Sequence, residues 1–89
     1  MPPDARLPLV TLYTKPDCSL CETAAEALDR VRGRHPFELE VLDISTDPAL
    51  GARYGERIPV VLFDGEPAFE YFVDEQALEL KLTAAGAAR

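Results

Sequence analysis

The sequence has no tryptophan, and its 89 residues include one methionine, one histidine and two cysteines. Two cysteines cannot build the disulfide-dense framework of a small secreted scaffold. With a single histidine they also fall short of the four nitrogen or sulfur ligands of a structural zinc site. Basic residues are scarce: nine Lys and Arg stand against sixteen Asp and Glu, a formal charge of −7. Phosphate contacts need a basic face, so general nucleic-acid binding is excluded. No apolar run approaches the ~20 residues that cross a bilayer, and no signal-peptide core follows Met1-Pro2-Pro3-Asp4. Five Gly and eight Pro beside a 47% hydrophobic content are too few for a collagen-like or disordered chain. The expectation is a cytoplasmic, monomeric domain whose charge repels acidic partners unless a local basic site intervenes.

What is present is enough for one domain over residues 1–89, with an ordered core of about 9–83 and a loose lead-in over Met1–Pro8. Leu9–Tyr13 is a short apolar run of the kind buried on both faces of a sheet. Leu20, Ala24, Ala27, Leu28 and Val31 then recur at helical spacing, and Gly33 is expected to end that helix. Phe37–Val41 alternates apolar and acidic, which suits an edge strand with one wet face. Asp47-Pro48 opens a short helix that closes by Gly55. Val60–Phe63 is a second buried-type strand, Asp64-Gly65 a tight turn, and Pro67–Tyr71 the returning edge strand. Asp74 caps a last helix with Ala77, Leu78 and Leu82 on one side, expected to fray from Ala84 to Arg89. The order is β-α-β-α-β-β-α: an α/β fold with a four-stranded mixed sheet and helices on both faces.

Chemistry concentrates at Cys18-Ser19-Leu20-Cys21, where the first strand gives way to the first helix. A thiolate is the reactive form of cysteine, and a helix N-terminus stabilises it with unpaired N–H groups and the positive end of the dipole. Residues three apart on a helix are neighbours, within disulfide range. Cys18 is therefore the candidate exposed nucleophile and Cys21 the buried resolving thiol. His35 lies in a Gly-Arg-His-Pro loop and reads as solvated. In Arg57-Ile58-Pro59-Val60 the proline starts a buried strand whose beginning would lie beside the end of the first. Most X-Pro bonds are trans, and the residues alone favour trans here.

The run Leu12-Tyr13-Thr14-Lys15-Pro16-Asp17-Cys18-Ser19-Leu20-Cys21 resembles the active-site segment of glutaredoxins, small proteins of thioredoxin-like fold. Tyr54-Gly55, Ile58-Pro59-Val60 and Phe63-Asp64-Gly65 resemble their cis-proline strand and hairpin. The resemblance spans about Leu9 to Leu82. It implies a cis Ile58–Pro59 bond and an anion contact at Lys15. Candidate substrate contacts are thus Lys15, Leu20, Ile58 and Pro59. Two departures stand out: Ser19-Leu20 replaces the family's Pro-Tyr, and Phe69-Glu70 falls where a count from the proline reaches its Gly-Gly step. The resemblance implies glutathione as a ligand, whereas a ring and a negative charge at Phe69-Glu70 oppose its close approach. Asp74-Glu75 resembles the family's acidic pair and equally suits a helix cap.

The implied activity is dithiol exchange on protein or low-molecular-weight disulfides by Cys18 and Cys21, with an unidentified reductant. It requires no resident cofactor or metal. The alternatives are a carrier of a [2Fe–2S] cluster, and a binding module that keeps the fold without catalysis.

Overall fold

The computed structural model describes residues 7–87. Met1–Arg6 of the expected lead-in, and Ala88 and Arg89 of the expected fraying end, lie outside the described residues. The strands are β1 (Leu9–Thr14), β2 (Glu38–Asp43), β3 (Val60–Phe63) and β4 (Glu66–Glu70). The helices are α1 (Ser19–Arg34), α2 (Pro48–Tyr54) and α3 (Glu75–Ala87), and a 3-10 turn, Ile44–Thr46, precedes α2. The sheet runs in the order β2-β1-β3-β4. β1 pairs parallel with β2 and antiparallel with β3, and β4 returns antiparallel to β3. The mixed sheet with helices on both faces is the architecture that the residue pattern implies.

The two central strands are the two most apolar ones, and their alternate residues feed separate cores. Val10 and Leu12 of β1 with Val61 of β3 meet Ala24, Leu28 and Val31 of α1 and Leu78 and Leu82 of α3. The opposite face carries Val60 and Leu62, with Tyr13 packed beside them, against Ile44, Leu50 and Tyr54 around α2. Cys21 and Ile58 join this second cluster, so the first turn of α1 is anchored at the sheet's end.

Local polar groups fix the joints. The Asp43 carboxylate accepts from the Ser45 N–H (2.8 Å) and hydroxyl (2.6 Å), and these bonds hold its pKa below the ordinary carboxylate value. Asp47 accepts from the N–H groups of Ala49 (3.0 Å) and Leu50 (3.2 Å) ahead of Pro48, and Asp74 from that of Ala77 (3.1 Å). Asp64 and Gly65 turn the hairpin with φ of 50° and 87°. Asp64 also bonds Leu9 in both directions, latching the hairpin to β1.

Several boundaries differ from the sequence expectation. Gly33 does not end α1, which runs to Arg34; His35 leaves the helix in extended geometry because the following Pro36 disfavours helical φ/ψ there. Leu20 is not part of the core stripe: it is 53% exposed, and Cys21 takes the inward position. The alternation of β2 fades, since the helical layer reaches Phe37 and Leu39 while Val41 stays exposed. β4 begins directly after the two-residue turn and ends at Glu70, because Tyr71 has φ 71° and cannot continue a strand. α3 continues through Ala84 to Ala87, in line with the high helix propensity of alanine.

A carboxylate–guanidinium cluster clamps α3 to α1. Arg30 donates to Glu75 (2.9 Å), while Arg34 reaches Glu79 (2.6 Å) and Glu75 (3.6 Å). The hydrogen bonds from Arg30, with those from Arg34, hold Glu75 below its ordinary value of 4.5; the bond to Glu75 raises Arg30, and the bond to Glu79 raises Arg34. Because the folded-state value is the lower one, this contribution is complete above pH 4.5 and disappears as pH falls through the folded value. Glu75→Gln is expected to remove that part of the acid dependence of the urea midpoint and leave the remainder; an unaltered acid limb contradicts the clamp. In the core beneath it, Leu28 is fully buried. Leu28→Ala should lower the unfolding free energy by about 2–5 kcal/mol, and a loss well under ~1 kcal/mol would contradict close packing there.

Candidate functional site

β1 ends at Thr14, and Lys15-Pro16-Asp17 carries the chain over the sheet's end to the start of α1. Asp17 takes φ 58°, a left-handed geometry that aspartate tolerates, and this reverses the chain into Cys18. Cys18 is the N-cap of α1. Its sulfur accepts the Cys21 N–H at 3.1 Å, and its carbonyl accepts the Glu22 N–H at 3.1 Å. The N-cap position normally belongs to serine or aspartate; here the acceptor is sulfur. A thiolate in its place takes the same N–H as a charge-assisted bond in the field of the helix dipole. Lys15 adds positive charge nearby, while Asp17 and Glu22 work against it.

Cys18 and Cys21 are joined as a disulfide, with Cα atoms 5.2 Å apart. Their environments differ. Cys18 is half-buried and faces an open cleft of about 580 Å³, whereas Cys21 is 3% exposed inside the second core cluster. Lys15, Leu20, Ile58, Gly55, Glu56 and Tyr71 line that cleft with Cys18. Lys15, Leu20 and Ile58 therefore come together with Cys18. Pro59 does not line the cleft: it is buried, directly precedes β3 after a cis Ile58–Pro59 peptide, and accepts the Tyr71 N–H on its carbonyl at 2.8 Å. The Tyr13–Val60 pairing sets the beginning of β3 beside the end of β1. At Gly55 a Cβ would run into the Gly51 carbonyl, so only glycine lets the chain leave α2 at this angle.

Phe69 and Glu70 do not occupy the place that the count from Pro59 assigned them. Phe69 packs on the first core cluster, and neither residue borders the cleft of Cys18. Leu62 pairs with Pro67 and Val61 with Phe69, so Ala68 is an extra residue in β4. This bulge displaces any count along the chain, and Tyr71 is the residue that reaches the cleft. Nothing in the local sequence signalled Tyr71 or Glu56. Asp74 and Glu75 serve as helix cap and clamp, and His35 lies beside Glu79 (3.9 Å) at the far end of α1, roughly 24 Å away along the helix.

Among the described residues no group of three or more His, Cys, Asp or Glu gathers to hold a metal ion. A [2Fe–2S] cluster here would have only the Cys18 and Cys21 sulfurs from this chain, and would draw its other donors from outside it. Among the described residues, too, no helix is long and apolar enough to cross a membrane.

A half-buried sulfur that caps a helix and faces an open cleft, backed by a buried one, has the geometry of a redox-type cysteine pair. In the reduced Cys21→Ser variant, the alkylation rate of Cys18 should inflect below the free-cysteine value of ~8.5. An inflection at or above ~8.5 would contradict activation by the helix terminus.

The comparisons with known proteins agree with this geometry. The profile of the family described as Glutaredoxin-like domain (DUF836) matches residues 9–83. The uncharacterised protein Rv0508 of Mycobacterium tuberculosis is 34% identical over 76 residues, which cover 80% of this chain and 78% of that protein. The X-ray structure of the structural-genomics target XcR50 from X. campestris superposes with TM-score 0.70 at 33% identity, covering 84% of this chain and 96% of that one. A mutant thioredoxin from Halobacterium salinarum superposes with TM-score 0.66 at 19% identity, covering 93% and 78%, a likeness of fold alone. This chain belongs to the glutaredoxin-like (DUF836) family, on a thioredoxin-like fold.

Proposed function

We propose that this chain is a thiol–disulfide oxidoreductase working by a dithiol mechanism, in the cytoplasm, on protein or low-molecular-weight disulfides. One observation carries the reading: Cys18 caps α1 at the floor of an open cleft, and its partner Cys21 is buried one turn behind it. In the reduced protein the Cys18 thiolate attacks one sulfur of the substrate disulfide. A bond forms between them, and the other substrate sulfur leaves as a thiolate that takes up a proton. Cys21 then loses its proton and attacks the Cys18 sulfur, expelling the second substrate thiol. The Cys18–Cys21 disulfide is the oxidised product, two electrons have passed to the substrate, and an external thiol or dithiol restores the starting state.

The fold supports this sequence in two ways. The N–H of Cys21 lies against the Cys18 sulfur, where it stabilises the thiolate both as attacking and as leaving group. The 5.2 Å Cα separation lets the pair close and open without moving the helix. Burial of Cys21 keeps it from attacking free disulfides and leaves it to act on Cys18.

With dithiothreitol as reductant and a disulfide-linked fluorescent peptide as substrate, Cys18→Ser should reduce turnover to background. Cys21→Ser should instead accumulate a stable mixed disulfide at Cys18, visible by mass. Turnover that survives Cys18→Ser, or a mixed disulfide forming at Cys21, would overturn the assignment.

A further inference from the structure

Tyr71 has a geometry that the exchange reaction does not call for. The non-glycine residues with positive φ among the described residues are Asp17 (58°), Asp64 (50°) and Tyr71 (71°). Aspartate tolerates this region through its short polar side chain, and a bulky aromatic residue does not. Its surroundings hold it there. The Tyr71 N–H donates to the Pro59 carbonyl (2.8 Å), and the Phe72 N–H closes a three-residue turn onto the Glu70 carbonyl (2.8 Å). The Tyr71 hydroxyl donates to the Glu56 carbonyl at 3.3 Å. The side chain thus reaches from the end of β4 to the loop after α2.

This span separates two clefts. The cleft of Cys18 and a neighbour of about 560 Å³ share Glu56 and Tyr71 among their walls. They differ in chemistry. Beside Cys18 stand Leu20 and Tyr71, 53% and 50% exposed, with Lys15 offset by Asp17 and Glu56. The neighbour holds Arg53 and Arg57 against Glu56, and neither arginine makes an ion pair among the described residues. In a chain of net charge −7 this is a local excess of positive charge, two guanidinium groups to one carboxylate with Arg53 lying over the Tyr54 ring at 5.3 Å, held apart from the sulfur by an aromatic wall.

We propose that Tyr71 is a specificity-determining partition that turns the Cys18 cleft toward protein cystines flanked by an apolar side chain and away from small anionic disulfides such as glutathione disulfide. The inference rests on the oxidoreductase reading. An apolar side chain next to the substrate cystine packs between Leu20 and the Tyr71 ring. The carboxylates of a glutathione disulfide find their natural partners, Arg53 and Arg57, on the wrong side of that ring. Lys15 alone remains to them, beside Asp17 and Glu56. Removing the ring joins the clefts and brings both arginines within reach of a ligand attached to Cys18.

The test uses protein reduced with dithiothreitol and freed of it, in single turnovers that draw both electrons from the Cys18–Cys21 dithiol. The substrates are glutathione disulfide and a disulfide-linked peptide carrying Leu beside its Cys. Wild type should favour the peptide by about tenfold or more, the order that a packed apolar group supplies. Tyr71→Gly and Tyr71→Asn both accommodate positive φ and remove the ring. Each should raise the glutathione disulfide rate about tenfold and lower the peptide rate. Tyr71→Phe, which keeps the ring, should hold the wild-type preference. The gain should vanish at high salt and in Tyr71→Gly/Arg57→Ala, which a purely structural role for Tyr71 does not predict. An active protein whose substrate ratio is unchanged in both Tyr71→Gly and Tyr71→Asn overturns the partition alone. Wild type that reacts with neither disulfide overturns the oxidoreductase reading, and the partition with it.

Discussion

The first turn of α1 is closed by a sulfur atom, and the rest of the fold holds that atom where it is. A helix start leaves N–H groups in need of acceptors, and here the Cys18 sulfur takes the N–H of Cys21. The acceptor is therefore also the reactive group, and the strength of the cap depends on its charge. β1 and β3 set the height of this terminus by pairing Tyr13 with Val60, and burial of Cys21 in the second cluster pins the helix to it. The two cores divide the work. Leu28, Val31, Leu78 and Leu82 bind the long helices to one face, while Tyr54, Ile58 and Val60 support the site from the other.

Charge is distributed along the same division. In the far part of α1, Arg30 and Arg34 pair with Glu75 and Glu79 of α3, where they serve packing, and Arg32 bonds the Phe37 carbonyl. Near Cys18, Lys15, Arg53 and Arg57 make no ion pair among the described residues. A strongly acidic chain thus keeps Lys15 in the cleft of Cys18 and places Arg53, over the Tyr54 ring, and Arg57 in the neighbouring cleft beyond Tyr71.

Much of this was legible in the sequence because the signals are local. Val60–Phe63 and Leu9–Tyr13 declared central strands by unbroken apolar character, Asp64-Gly65 declared the hairpin, and Asp47-Pro48 a helix start. The Cys18–Cys21 spacing after a buried strand located the reactive pair. What stayed hidden depends on tertiary geometry. The bulge at Ala68 puts an extra residue into β4, which no propensity records, and Tyr71 rather than Phe69 or Glu70 lines the cleft. Leu20 matched the helical stripe in spacing, yet the first turn projects it over the cleft and turns Cys21 inward. Gly33 looked like a helix stop, but the restriction imposed by Pro36 acts two residues later.

The central claim is that Cys18 and Cys21 form a reversible redox couple on a fold that does not need their bond. Equilibration in graded dithiothreitol buffers, with thiol alkylation measured by mass and folding by circular dichroism, tests it directly. The account predicts one two-electron transition, with a slope near ~30 mV per tenfold change in ratio, and the same folded signal at both ends. Unfolding on reduction would make the pair a structural staple, and a pair that fails to close again on reoxidation would contradict the couple.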